Sequence, residues 1–229
     1  MKTDVNLQVT HMPNCRLNLS TTTALGGGSR GIAKHCGTTT PWVSLSVGCI
    51  ALVIGAIDNL FPLLQSLCFD YRAIIEDHQY WRLLTGHIVH SSNSHLFWDL
   101  ITFLVCGCYV ERKGVKYFKI ALLCSILILN GYLLSPWSEI AQYSGLSGIL
   151  YTVVILAGWL WYKEHRGLLG ALPLMMVIAK TFIEIVAQEA TFVSQGWTLF
   201  FPAHLLGILA GSLFIALIEY PREAVRTEN

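Results

Sequence analysis

Six apolar stretches of near membrane-spanning length limit what this chain can become. They run from about Trp42 to Leu64, His95 to Val110, Phe118 to Leu134, Ser144 to Trp161, Leu168 to Val186 and Phe200 to Ile218. A helix needs about 20 residues to cross the hydrocarbon core, and lipid offers no partner for an unpaired backbone N–H or C=O. The expected fold is therefore an all-α membrane protein, a six-transmembrane-helix bundle over residues 41–220. Between the first two stretches lies one large amphipathic loop, Phe69 to Asn93, rich in aromatic and charged residues.

Composition supports this class and excludes others. Only 13% of residues are charged, against about 25% in soluble domains, and 54% are hydrophobic. The net charge of +1 is too small for a partner bound through its phosphates, so no nucleic-acid partner is expected. Seven cysteines fall mostly inside apolar runs and form no C-x-x-C pair, which argues against a zinc knuckle or disulfide framework.

The ends differ from the middle. Residues 1–40 carry runs such as Gly26-Gly27-Gly28 and Thr38-Thr39-Thr40, without the apolar core of a signal peptide. They read as a flexible cytoplasmic tail, and residues 221–229 as a short cytoplasmic one. If the N-terminal side is inside, twelve Lys and Arg from Lys2 to Arg226 lie in the inner segments, against Arg72 and Arg82 outside. That bias predicts a multi-pass protein of the plasma membrane with both termini cytoplasmic and the large loop on the outer side.

An ionisable group in a membrane span is costly and so is a functional candidate. These are His95, Asp99, Lys180, Glu184 and His204, with Ser147 added for its setting Gly145-Leu146-Ser147-Gly148. The topology brings Ser147, His204, His90, His95 and Asp99 to one depth, about a turn below the outer surface. A serine needs a base to become a nucleophile, and imidazole is the usual one. Ala203, Gly207 and Gly211 form the small-residue face that lets two membrane helices approach closely, and Gly148 keeps space open beside Ser147. The Ser147 N–H and His95 are candidate donors to an oxyanion. Taken singly, a Gly-x-Ser-Gly string or small-residue stripe is ordinary helix packing, and a lone histidine an ordinary interior one; their coincidence in depth points to a catalytic pair.

At these residues the chain resembles the rhomboid family of intramembrane serine proteases, from about Gln79 to Gly211. The resemblance rests on Trp81-Arg82 in the large loop, on His90 and His95 followed by Asp99, and on Glu111-Arg112-Lys113. It continues with Ser147 and an aromatic one turn on, Tyr151, and with Ala203, His204, Gly207 and Gly211. It implies a six-helix fold with a Ser147–His204 dyad, no third acidic member, no cofactor and no metal. It also implies support from His90, His95, Gly145 and Gly148, and a structural loop anchored by Trp81 and Arg82. The strings Tyr80 to His87 and Tyr143 to Gly148, with Lys180 and Glu184, look most like the rhombosortase branch. Those bacterial inner-membrane enzymes process membrane-anchored substrates ending in a Gly-Gly motif, an apolar helix and a basic tail.

Two features keep alternatives open. Asp99 stands where rhomboids carry an oxyanion-donating Asn: it can donate if protonated, orient His95, or mark an impaired protein that binds membrane clients without cleaving them. Lys180 and Glu184, one turn apart, either neutralise each other or form a pair on the substrate side. A small transporter is the remaining class, but the first three and last three stretches show no repeat symmetry.

Overall fold

The structure, a computed structural model, describes residues 40–187 and 200–227, with side chains through Glu219. The tail expected over residues 1–40 lies, apart from Thr40, outside the described residues. Eight helices and two short strands are described: α1 Trp42–Asp58, α2 Leu64–Leu67, β1 Phe69–Asp70, α3 Tyr71–Ile75, α4 Arg82–Thr85, α5 Asn93–Leu133, β2 Gln142–Tyr143, α6 Ser147–His165, α7 Gly167–Ala187 and α8 Phe201–Thr227. Three are long and apolar enough to cross a membrane, namely α5, α7 and the Phe201–Glu219 part of α8; α1 is a shorter apolar helix. The fold is thus mostly helical and membrane-like.

The second and third apolar stretches are not separated by a loop. They form the two arms of α5, which bends at Gly114, where the backbone is extended (φ 176°, ψ 88°). Residues 111–117, expected as a connection, stay helical on both sides of that one glycine. At the C-terminus the helix likewise runs through Thr227, into the segment expected as a tail.

Burial follows an inside-out rule set by lipid. Along α8, Leu205, Leu209, Leu213 and Leu217 recur every four residues and are exposed, whereas Ala203, Gly207, Ala210 and Phe214 are buried. Small residues face the protein because close backbone packing, not hydrophobicity, holds membrane helices together. The central helix is α6, packed against α5, α7 and α8. A polar ladder crosses this centre: Ser125 Oγ and Thr152 Oγ1 are 2.8 Å apart, and Thr152 Oγ1 donates to the Gly207 carbonyl at 2.9 Å.

Helix α1 is fixed from outside itself. The Val43 and Ser44 N–H groups have no partner within the first turn. They donate instead to the buried Glu111 carboxylate at 2.9 and 2.8 Å, and Ser44 Oγ donates to it at 2.8 Å. A carboxylate at a helix N-terminus also meets the positive end of the helix dipole.

The large loop is a built structure. Arg82 is buried rather than extended to an interface; its Nη1 donates to the Gln65 and Cys68 carbonyls at 2.8 Å each, and its Nε to Gln79 Oε1 at 2.7 Å. The neighbouring Trp81 ring is exposed, its Nε1 3.4 Å from the Ser66 carbonyl. Antiparallel pairing of Phe69 with Tyr143 and Asp70 with Gln142 ties the loop to the approach to α6. The Gly145 N–H donates to the Gly86 carbonyl at 3.0 Å. His87 is buried beside these strands, its Nε2 3.2 Å from Asn130 Oδ1, while Asn130 Nδ2 donates to the Leu83 carbonyl.

Candidate active site

The loop delivers the chain to Ser147 through a turn that only glycine fits. Gly145 has φ +125°, in the left-handed region, and a Cβ there would lie 2.7 Å from the His95 ring. Ser147 is the first residue of α6, and Leu146 before it supplies no side-chain cap. The first-turn amides therefore have no intrahelical acceptor, a natural position for an anion. The Tyr143 hydroxyl organises this turn. It donates to the Gly145 carbonyl at 2.9 Å and also meets the Gly148 N–H and the Ser147 hydroxyl. Burial holds that phenol well above its usual pKa, so it stays protonated as a donor.

His204 arrives from α8, guided by glycine. A Cβ on Gly207 would sit 2.1 Å from the Gly148 carbonyl oxygen and 2.8 Å from Tyr151 Cβ. The two backbones touch at the level of Ser147's neighbour, and His204 lies one turn away along α8. Its ring stacks on Tyr151, with centroids 4.3 Å apart and planes at 24°. Tyr151 stands one turn after Ser147 on α6, so hydroxyl and imidazole share one small region. His204 is 5% exposed, and its buried Nδ1 has no hydrogen-bond partner among the described residues.

The first arm of α5 contributes the third group. Asp99 Oδ2 lies 3.4 Å from His90 Nε2 and 3.3 Å from His95 Nε2, within ion-pair reach though not in aligned hydrogen bonds. The Leu146 N–H donates to His90 Nε2 at 3.4 Å, so that nitrogen acts as an acceptor. His95 Nε2 stands beside the same carboxylate oxygen, while His95 Nδ1 faces Ser91 Oγ at 3.4 Å. Asp99 thus sits against the two histidines that border the Gly145–Leu146 turn.

Lys180 and Glu184 on α7 form an ion pair, Nζ to Oε1 2.6 Å, with unequal exposure: the lysine side chain is 37% exposed and the glutamate 2%. Tyr151's hydroxyl accepts from Lys180 at 3.1 Å and donates to Glu184 Oε2 at 3.2 Å. That Glu184 also reaches His204, and that Tyr143 shapes the Ser147 turn, lies beyond what sequence patterns announce. The signals were present as a buried-span acid and a Tyr two residues before the first glycine, but neither fixes a partner.

Residues 77–221 match the rhomboid domain family, and the chain belongs to that family. Among known proteins it is similar to rhomboid protease GlpG of Haemophilus influenzae, 32% identical over 118 residues. That alignment spans 47% of this chain and 60% of the relative.

Proposed function

We propose that this protein is an intramembrane serine endopeptidase working through Ser147 and His204. One observation carries the reading: Gly207 packs on the Gly148 carbonyl while His204 stacks on Tyr151, one helical turn from Ser147. In this mechanism His204 Nε2 takes the Ser147 proton, and Oγ attacks the carbonyl carbon of a substrate peptide bond. The Ser147 N–H at the uncapped start of α6 stabilises the oxyanion, with His95 held in place by Asp99. Collapse of the tetrahedral intermediate passes the proton from His204 to the leaving amine. Water, or an acceptor amine, then releases the acyl-enzyme.

The membrane arrangement follows as part of the same reading. Six spans are formed by α1, the two arms of α5, α6, α7 and α8, with both termini cytoplasmic in a bacterial inner membrane. The substrate is a membrane-anchored protein cut near the extracytoplasmic end of its transmembrane helix. The Tyr80–His87 and Tyr143–Gly148 strings favour a rhombosortase-type substrate with a Gly-Gly, apolar-helix, basic-tail terminus. Asp99 supports the second reading, a client-binding protein without activity, since an ionised carboxylate beside the oxyanion opposes its formation. Co-expression with such a substrate, followed by mass spectrometry of the new C-terminus, tests both. Cleavage lost in Ser147→Ala and in His204→Ala is the expected result. An uncut substrate that still co-purifies with the protein would favour the binding reading.

A further inference from the structure

We infer that Glu184 is a positioning residue for His204, turning the expected dyad into a Ser147–His204–Glu184 relay moderated by Lys180. The inference rests on the serine-protease reading above. Its ground is the carboxylate's placement. Glu184 Oε2 lies 3.6 Å from His204 Nδ1, and that nitrogen is buried without a hydrogen-bond partner among the described residues. Mutual neutralisation of two span charges does not require this. Lys180 keeps its ammonium partly exposed, and a glutamate beside it could do the same; instead Glu184 is 2% exposed, facing α6 and α8.

Chemistry gives the contact its use. When His204 Nε2 accepts the Ser147 proton, Nδ1–H becomes the donor of an imidazolium enclosed by protein. A carboxylate oxygen about 0.6 Å beyond an ordinary N–H···O distance of about 3.0 Å can close on it as charge develops. Tyr151 fixes both partners, its ring stacked on the imidazole and its hydroxyl donating to the same Oε2. Lys180, bonded to Oε1, offsets the carboxylate's charge. Among the described residues, the titratable groups around the ring are Glu184 from α7 at its Nδ1 and Tyr151 from α6 stacked on its face, with Lys180 bonded to both of them. From α5, Asp99, His90 and His95 gather at Gly145 and Leu146.

The test measures fluorophosphonate inactivation of the purified full chain in proteoliposomes across pH, for wild type, Glu184→Gln, Glu184→Asp and the charge-neutral double variant Lys180→Met/Glu184→Gln. Glu184→Gln should slow inactivation by about 10- to 100-fold. That is less than the about 10⁴-fold loss when the orienting carboxylate of a Ser-His-Asp triad becomes an amide, because this contact is long. In Glu184→Gln the acid limb should move down, since removing a nearby anion and leaving Lys180 unpaired disfavours the imidazolium. The double variant, which leaves no unpaired charge, should show the same slowing. A purely electroneutral role predicts instead that the double variant recovers wild-type rate and pH profile, which would overturn the inference. If both Gln variants fail to fold, Glu184→Asp decides: it keeps the ion pair but withdraws the carboxyl, so a wild-type rate and profile would overturn the inference and slowing would support it. Absence of Ser147 labelling in the wild type would remove the protease reading itself, a different failure from unchanged Glu184 variants.

Discussion

Substituting alanine for Gly207 asks whether the approach of α8 to α6 aligns the reacting groups. A Cβ there would meet the Gly148 carbonyl oxygen at 2.1 Å, and that oxygen belongs to the α6 backbone, which cannot swing aside as a side chain can. Restoring a contact of about 3.4 Å requires the helices to part by more than about 1 Å. His204 sits one turn from the wedge and moves with α8. Misplacement of a catalytic group by about 1 Å can cost about 10²-fold, or about 3 kcal/mol of transition-state stabilisation. Gly207→Ala should therefore lower the cleavage rate at least about 100-fold while a folded protein is still recovered. Two further glycines calibrate the effect. At Gly211 the nearest atoms to a Cβ are 3.0–3.1 Å away, so alanine asks for a few tenths of an ångström and a smaller loss. At Gly131 no atom of the described residues lies within 4 Å, and alanine should leave activity unchanged and raise helix stability by about 1 kcal/mol. Rates in proteoliposomes, normalised to folded protein by thermal melting in detergent, give the comparison. Equal activity of Gly207→Ala and Gly131→Ala would refute the argument.

The remaining predictions concern stability and the third group at the site. Burial holds the His87 imidazole at a pKa of about 4, below its usual 6.5, so the unfolded chain binds this proton first as pH falls. Stability should then decline between about pH 6.5 and 4, by about 3 kcal/mol in total. Melting temperatures should show a shallower decline in His87→Gln, and an identical slope would remove the assignment. Glu111→Ala orphans the Val43 and Ser44 amides and should cost about 2 kcal/mol, read as earlier SDS-induced unfolding; Glu111→Gln, which keeps an acceptor, should cost less. Asp99→Asn removes the anion beside His90 and His95. If Asp99 orients His95 for the oxyanion, cleavage of a membrane substrate should fall, whereas unchanged activity would release the carboxyl from that role.

The apolar helices α5, α7 and α8 are legible in sequence because lipid imposes a length and a hydropathy on a crossing segment. The bend of α5 was not, because residues 111–117 are adequate helix formers and a single extended residue at Gly114 suffices to turn the chain. The strands at Phe69–Asp70 and Gln142–Tyr143 are two residues long, too short to carry an alternating pattern. Within the candidate site, the close approach of α8 to α6 at Gly207 was legible through spacing, since a four-residue repeat fixes which helix face is narrow. Partners joined by tertiary contact left no such trace. Nothing local pairs Glu111 with the start of α1, or Arg82 with the Gln65 and Cys68 carbonyls. The same holds for Glu184: its spacing from Lys180 announces an ion pair, but the contact with His204 depends on how α7 leans on α6.

The most direct test is to treat the membrane-embedded protein with a fluorophosphonate and locate the adduct by peptide mass spectrometry. A single adduct on Ser147, blocked at once by His204→Ala with the fold intact, is the outcome expected of a serine activated by that imidazole. Adduct formation that persists in folded His204→Ala at the wild-type rate, or that falls on another residue, would contradict it.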